Sequence, residues 1–186
     1  GFDFSFCKFG KSNMTVLQEY DAFNTTIVSK QEIENEKIST TSIRQDLING
    51  ELQKANDALG YIYSIKGTVV QGEKRGRTIG FPTANIQPSD DYLLPRKGVY
   101  AVSIEIGTEN KLYRGVANIG VKPTFHDPNK AEVVIEVNIF DFEDNIYGER
   151  VTVNWHHFLR PEIKFDGIDP LVKQMNDDKS RAKYFL

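Results

Sequence analysis

Residues 132–142, EVVIEVNIFDF, place Val133, Ile135, Val137 and Ile139 on one face of an extended chain and Glu132, Val134, Glu136, Asn138 and Phe140 on the other. A period of two with β-branched residues along one side is the pattern of a strand with one buried face. Working outward, comparable runs lie at about 61–71, 98–106, 111–120 and 150–159, separated by Gly, Asn, Asp and Pro clusters. Turns are expected at Gly107-Thr108-Glu109-Asn110 and at Glu143-Asp144-Asn145. Successive strands without intervening helices predict an antiparallel barrel. After Arg160-Pro161 a closing helix is expected to pack on it, with Asp169 as cap, Pro170 in the first turn and Leu171, Val172 and Met175 as its apolar stripe. Upstream, Thr41-Ser42-Ile43-Arg44 opens a short helix that ends at Asn49-Gly50, and ELQKANDALG, residues 51–60, opens and closes another. The change from helical or mixed to mainly β grammar sets a domain boundary near Gly60, with domains at 1–60 and 61–186.

Composition narrows the function classes. The 186 residues are 39% hydrophobic and 26% charged, and the apolar runs are too short to span a bilayer. The opening GFDFSFCKFG has no basic region followed by an apolar core and a cleavage site, so a cytoplasmic protein is the expectation. Cys7 has no second cysteine to pair with, and His126, His156 and His157 offer no zinc-like spacing, so any metal should be held by oxygen. A net charge of −3 and a pI near 5.7 give no basic field for a phosphate backbone, which argues against a nucleic-acid partner.

The densest chemical pattern is GTVVQGEKRGRTIGFPTAN, residues 67–85, in which Gly72, Gly76 and Gly80 alternate with Lys74, Arg75 and Arg77. Glycines permit positive φ and close approach, and successive unbonded amides with cations form a phosphate cradle; a solvated basic turn accounts for the same residues taken alone. Thr83 and Asn85 lie two residues apart, so an extended backbone projects both oxygens to one side, as Mg²⁺ beside a phosphate requires. Turn-satisfying roles are the alternative. Glu136, in mid-strand among apolar neighbours, is a candidate general base, or else a surface carboxylate. Phe158-Leu159-Arg160-Pro161-Glu162 and Phe165 bring a cation, a carboxylate and aromatics to a strand end, a rim suited to a planar ligand.

Together and in this order, RGRTIGFPTAN, LLPRKGVYAV, GVANIGVKPTF, EVNIFDF, IYGE, FLRPEIKF and the helix start Gly167-Ile168-Asp169-Pro170 resemble the riboflavin kinase family over residues 61–186. The resemblance implies a mainly β, six-stranded antiparallel barrel, Greek-key-like, with a C-terminal helix. It implies transfer of a phosphoryl group from ATP to riboflavin to give FMN and ADP, with Mg²⁺ gripped through Thr83 and Asn85 and Glu136 as the base on the ribityl hydroxyl. Gly72, Arg75, Gly76 and Gly80 then shape the nucleotide loop, Tyr147 lies near the nucleotide, and Arg160, Glu162 and Phe165 belong to the flavin side. The loop at 72–80 is expected to close over bound nucleotide.

Residues 1–60 resemble the C-terminal part of the FMN adenylyltransferase module that precedes the kinase in bacterial bifunctional FAD synthetases. Gly1-Phe2-Asp3-Phe4-Ser5-Phe6 is similar to its GxDFxFG segment, with Cys7 in place of glycine, and Ile38-Ser39-Thr40-Thr41-Ser42-Ile43-Arg44 to its ISSTxIR phosphate turn, with Thr40 in place of serine. The implied origin is a fragment of an α/β nucleotidyltransferase domain. Without an HxGH-type motif, the chain is expected to form no FAD. Two other readings stay open: a flavin-binding barrel without catalysis, and an oligonucleotide-binding barrel, which the acidic balance disfavours.

Overall fold

The period-two stretch becomes a central strand of a closed barrel, seen in a computed structural model that describes residues 3–10, 12–19, 22, 24–33, 35–73, 75–89, 91–107, 111–123 and 131–186. Gly1 and Phe2, Lys74, the turn residues Thr108, Glu109 and Asn110, and Thr124, Phe125 and His126 lie outside the described residues. The barrel strands are β1 (Ser64–Val70), β2 (Ala84–Pro88), β3 (Gly98–Ile106), β4 (Lys111–Pro123), β5 (Ala131–Ile139) and β6 (Arg150–Arg160). They close in the order β6-β1-β2-β5-β4-β3, all antiparallel. The order departs from the chain sequence where β2 pairs with β5, the Greek-key feature. Five strands stand where the residue pattern puts them. The sixth, β2, continues the extended backbone expected at Thr83 and Asn85 but lies in none of the predicted strand runs; it is five residues long and bears Asn85, Gln87 and Pro88, so no apolar alternation marks it.

Inward-facing positions fill the barrel with β-branched and aromatic side chains, among them Ile65, Val69, Val102, Ile119, Ile135, Val137 and Val153. Tyr100 and Trp155, both fully buried, meet edge to face at 5.1 Å. The Tyr100 hydroxyl donates to the Arg96 carbonyl, and burial pushes its pKa well above the ordinary phenol range, so it stays protonated. β6 carries register shifts between Trp155 and His157 and between Phe158 and Arg160. Each bulge resets the alternation, leaving Trp155 and Phe158 in the interior cluster and Arg160 opposite Val99 on the outside.

Two helices, α1 (Thr40–Asn49) and α2 (Leu52–Leu59), form where the capping and apolar pattern place them. Gly60, at φ +75°, ends α2 in the left-handed conformation. Leu47, Leu52 and Ala55 join the barrel's apolar cluster, and buried Asn56 donates to the Trp155 carbonyl (3.0 Å) while accepting from the Tyr63 amide (2.8 Å). Residues 41–186 accordingly make one compact unit, which takes in both helices upstream of Gly60. Residues 1–40 form the other unit. In it Ser5–Phe6 pairs with Ser12–Asn13, Asn13 caps the short helix Met14–Gln18, and Glu32–Ile33 pairs with Glu36–Lys37.

Among the described residues no helix lies between β2 and β3, and a single helical turn, α3 (Arg75–Thr78), precedes β2. The closing helix, α4 (Ile168–Phe185), packs across β3, β4 and β6. Its N-cap is Gly167 at φ +127°, not Asp169 as the residue pattern implied; Asp169 sits in the first turn, where its charge still suits the helix dipole. At the other end Phe185 stacks on His157 at 3.8 Å. Burial and then the nearby Arg181 hold the His157 imidazole below its usual range.

Candidate active site

Strand register determines which polar groups meet. Val70 pairs with Asn85, Asn85 with Glu136, Glu136 with Asn118, Asn118 with Val99 and Val99 with Arg160, so one row crosses all six strands. Ile135 and Val137 point into the core, so this row lies on the barrel's outer face.

A cleft of about 640 Å³ opens over that row. Thr83, Asn118, Glu136, Asn138 and Glu162 supply its polar side; Val99, Val116, Ile163, Phe165, Leu171 and Met175 supply a wide apolar wall shared with α4. A second cleft of about 630 Å³ lies at the barrel mouth, floored by Val69, Val137, Ile139 and Phe142 and rimmed by Arg77, Glu143, Asp144 and Tyr147. Thr83 lines both.

The glycine loop is built for close approach. A Cβ on Gly72 would stand 2.0 Å from Asn85 Nδ2, and one on Gly76 would stand 2.2 Å from the Phe81 carbonyl oxygen. Asn85 therefore lies directly on Gly72, and the Gly72→Ala variant is expected to displace it while leaving the barrel folded. The measurement is hydrogen exchange over residues 72–85: faster exchange there with a near-parental melting temperature is expected, and parental exchange would show that Asn85 tolerates the added methyl. Gly80 takes φ +82°. The expected cradle of unbonded amides is smaller than the residues implied, because the Ile79 and Phe81 amides donate to the Gly76 carbonyl and the Gly80 amide to that of Arg77. Arg75 pairs with Glu73 at 2.8 Å and is largely exposed at the edge of the larger cleft, whereas Arg77 faces the smaller.

At the aromatic end, Arg160 is turned toward α4 more than toward open space. Its Nε and Nη2 donate to buried Asp178 at 2.9 and 2.6 Å, and its guanidinium lies 5.9 Å from the Phe165 ring. Glu162 Oε1 accepts from Asn118 Nδ2 at 3.1 Å. Tyr147 stands at the rim of the second cleft, 43% exposed. The structure thus gathers Arg75, Gly76, Thr83, Glu136, Arg160, Glu162 and Phe165 around one cleft and puts Tyr147 on the other, whereas Gly72, Gly80 and Asn85 line neither. Residue patterns had not singled out Asn118, Asn138 or Asp178. Asn138 was legible as the residue two along from Glu136 on the same face; Asn118 and Asp178 emerge only with strand register and helix packing.

Thr83 and Asn85 fit a cation that brings its own ligands. Among the described residues no group of three His, Cys, Asp or Glu side chains could hold a metal. Asn85 lies on Gly72, which admits no Cβ, and Thr83 Oγ1 lies by Gly76, 3.7 Å from where its Cβ would stand; neutral side-chain oxygens beside a glycine loop suit a hard ion already bound to phosphates, as Mg²⁺ is with a nucleotide.

The family model described as "Flavokinase: Riboflavin kinase" matches residues 59–186. A bifunctional riboflavin kinase/FMN adenylyltransferase from Listeria monocytogenes is 48% identical over 188 residues, and one from Bacillus subtilis 45% identical. Both alignments cover 100% of this chain and 59% of the relative, so the chain spans about three fifths of the length of these proteins. A solved structure described as a macrolide-efflux protein from Streptococcus pneumoniae is 40% identical with a TM-score of 0.87, covering 98% of this chain and 58% of its own. Among the described residues no helix is long and apolar enough to cross a membrane. A family match over most of the chain coincides with the barrel, its glycine loop and the cleft over Glu136, and the chain therefore belongs to the riboflavin kinase family.

Proposed function

We propose that the barrel transfers the γ-phosphoryl group of ATP to the terminal ribityl hydroxyl of riboflavin, giving FMN and ADP. The observation that carries this reading is Thr83 on the border of two clefts, with Glu136 facing the larger one. The larger cleft, with its apolar wall of Val99, Val116, Ile163, Leu171 and Met175, takes the isoalloxazine ring, with Phe165, Glu162 and the Arg160 stem beside it. The smaller takes the nucleotide against Tyr147, with Gly72, Arg75, Gly76 and Gly80 shaping the loop over the phosphates. Thr83 Oγ1 and Asn85 Oδ1 hold the Mg²⁺ that accompanies ATP. Bound there, Mg²⁺ neutralises charge on the phosphates. Glu136 accepts the hydroxyl proton as the ribityl oxygen bonds to the γ-phosphorus; the bond from that phosphorus to the bridging oxygen breaks, and ADP leaves with the electron pair. Positioning and charge neutralisation supply most of the acceleration in such a reaction.

Use of ATP suits a cytoplasmic enzyme, and the acidic balance disfavours a nucleic-acid partner. The names of the longer relatives, whose alignments run through residues 1–60, support assigning that segment to an FMN adenylyltransferase module and residues 61–186 to the kinase. Residues 41–60 pack with the barrel all the same. The chain by itself is expected to make FMN and no FAD. Chromatographic analysis after incubation with riboflavin, ATP and Mg²⁺ tests both statements: FMN that depends on ATP and Mg²⁺ is the expected product. Folded protein that quenches flavin fluorescence yet makes no FMN would instead be a passive flavin-binding barrel, and FAD from FMN and ATP would overturn the second statement.

A further inference from the structure

We infer that Asn138 is a positioning residue for phosphoryl transfer, holding the Thr83 segment against the strand that carries Glu136; the inference rests on the kinase reading of the cleft. The reacting groups sit on different parts of the chain. Glu136 belongs to β5, whereas Thr83 precedes β2, whose ladder to β5 runs from Ile86↔Ile135 to Ala84↔Val137. Thr83 is one residue beyond that ladder. The residue before it is Pro82, which has no N–H and cannot donate to a neighbouring strand. At this position Asn138 Nδ2 donates to the Pro82 carbonyl oxygen at 2.7 Å. A side-chain amide thus continues the attachment of β2 to β5 where backbone pairing stops.

The geometry makes this attachment specific. Asn138 lies two residues from Glu136, so both side chains leave the same face of one strand, and both line the larger cleft. Among the described residues, the Ile79, Gly80 and Phe81 amides and the Thr78 hydroxyl all donate to carbonyls within the loop itself. Asn138 thus ties the loop to the base-bearing strand one step beyond the Ala84↔Val137 pair, so this hydrogen bond holds the Thr83 segment at the spacing that the ladder sets. A donor is required, since the Pro82 carbonyl can only accept. Phosphoryl transfer loses about 10²-fold when reacting groups are misplaced by about an ångström.

The test compares the parent with Asn138→Ala and Asn138→Asp, the latter nearly isosteric but without the donor. Steady-state FMN formation is measured against MgATP and riboflavin separately, with thermal melting and hydrogen exchange over residues 79–85. Both variants are expected to lose about 10- to 100-fold in kcat, to raise the KM for MgATP with little change for riboflavin, and to exchange faster at 79–85 with melting nearly unchanged. Parental kinetics in both variants would overturn the inference. Equal rises in both KM values would do so as well, since they indicate a collapsed cleft rather than a misplaced loop. A parent that makes no FMN would instead sink the kinase reading, and this inference with it.

Discussion

Glu136→Gln is expected to lower kcat for FMN formation by about 10²- to 10⁴-fold, the range typical of losing a general base, while riboflavin still binds. Glutamine keeps the length and shape of the side chain and its pairing position between Asn85 and Asn118. It removes the negative charge and the capacity to take up a proton. Because the interaction matters in the transition state, kcat and kcat/KM should fall together, with KM values near those of the parent. A variant that loses affinity for riboflavin while keeping kcat would mark Glu136 as a binding group and leave the base unidentified. Full activity would remove it from the reaction. Flavin fluorescence quenching, read on the same preparations, separates these outcomes because it reports binding without turnover.

The residues most legible in advance were those whose role follows from local pattern. Alternation at 132–142 placed Glu136 outside the barrel and Ile135 and Val137 within it, as the structure shows. The glycine spacing at 72, 76 and 80 marked a tight loop, and Gly72 and Gly76 indeed admit no Cβ. What could not be read depended on register or on distant packing. Asn118 meets Glu136 only because β4 pairs with β5 in one register, and a shift of one residue would send it into the core. Arg160 reaches the outer face through two bulges that no residue pattern announces. The strand β2 escaped notice because its polar and proline residues suit an edge of the cleft better than a buried ladder. The loop amides at 79–81 were expected to be open to phosphate because their partners, Gly76 and Arg77, lie within the same loop, where only the folded turn reveals them. Gly167 displaced Asp169 as the helix cap for a similar reason, since the chain's approach from β6 determines where α4 can start.

Asp178→Ala is expected to destabilise the protein by about 3 kcal/mol, the lower end of the cost of breaking a buried ion pair from one side. Asp178 is 2% exposed, and its two oxygens take hydrogen bonds from Arg160 and from Gln174 Nε2 at 3.0 Å. Its removal leaves a guanidinium whose side chain is 15% exposed and which keeps the Pro161 carbonyl as an acceptor and the Phe165 ring at 5.9 Å. That residual exposure toward the cleft is why the lower end applies. For a chain of this size the melting temperature should drop by about 6–12 °C. The same change should weaken riboflavin binding, because the pair fastens α4, and with it Leu171 and Met175, to β6. Stability and binding can be separated with Arg160→Met/Asp178→Leu, which replaces the pair by apolar groups of similar volume. Such replacements of buried pairs are often neutral or stabilising, so melting should recover in the double variant. If riboflavin affinity recovers with it, the pair acts only by holding the helix. If affinity stays low while melting is restored, the Arg160 guanidinium contacts the flavin directly, and the rim role implied by its place beside Phe165 gains its evidence from that residual loss.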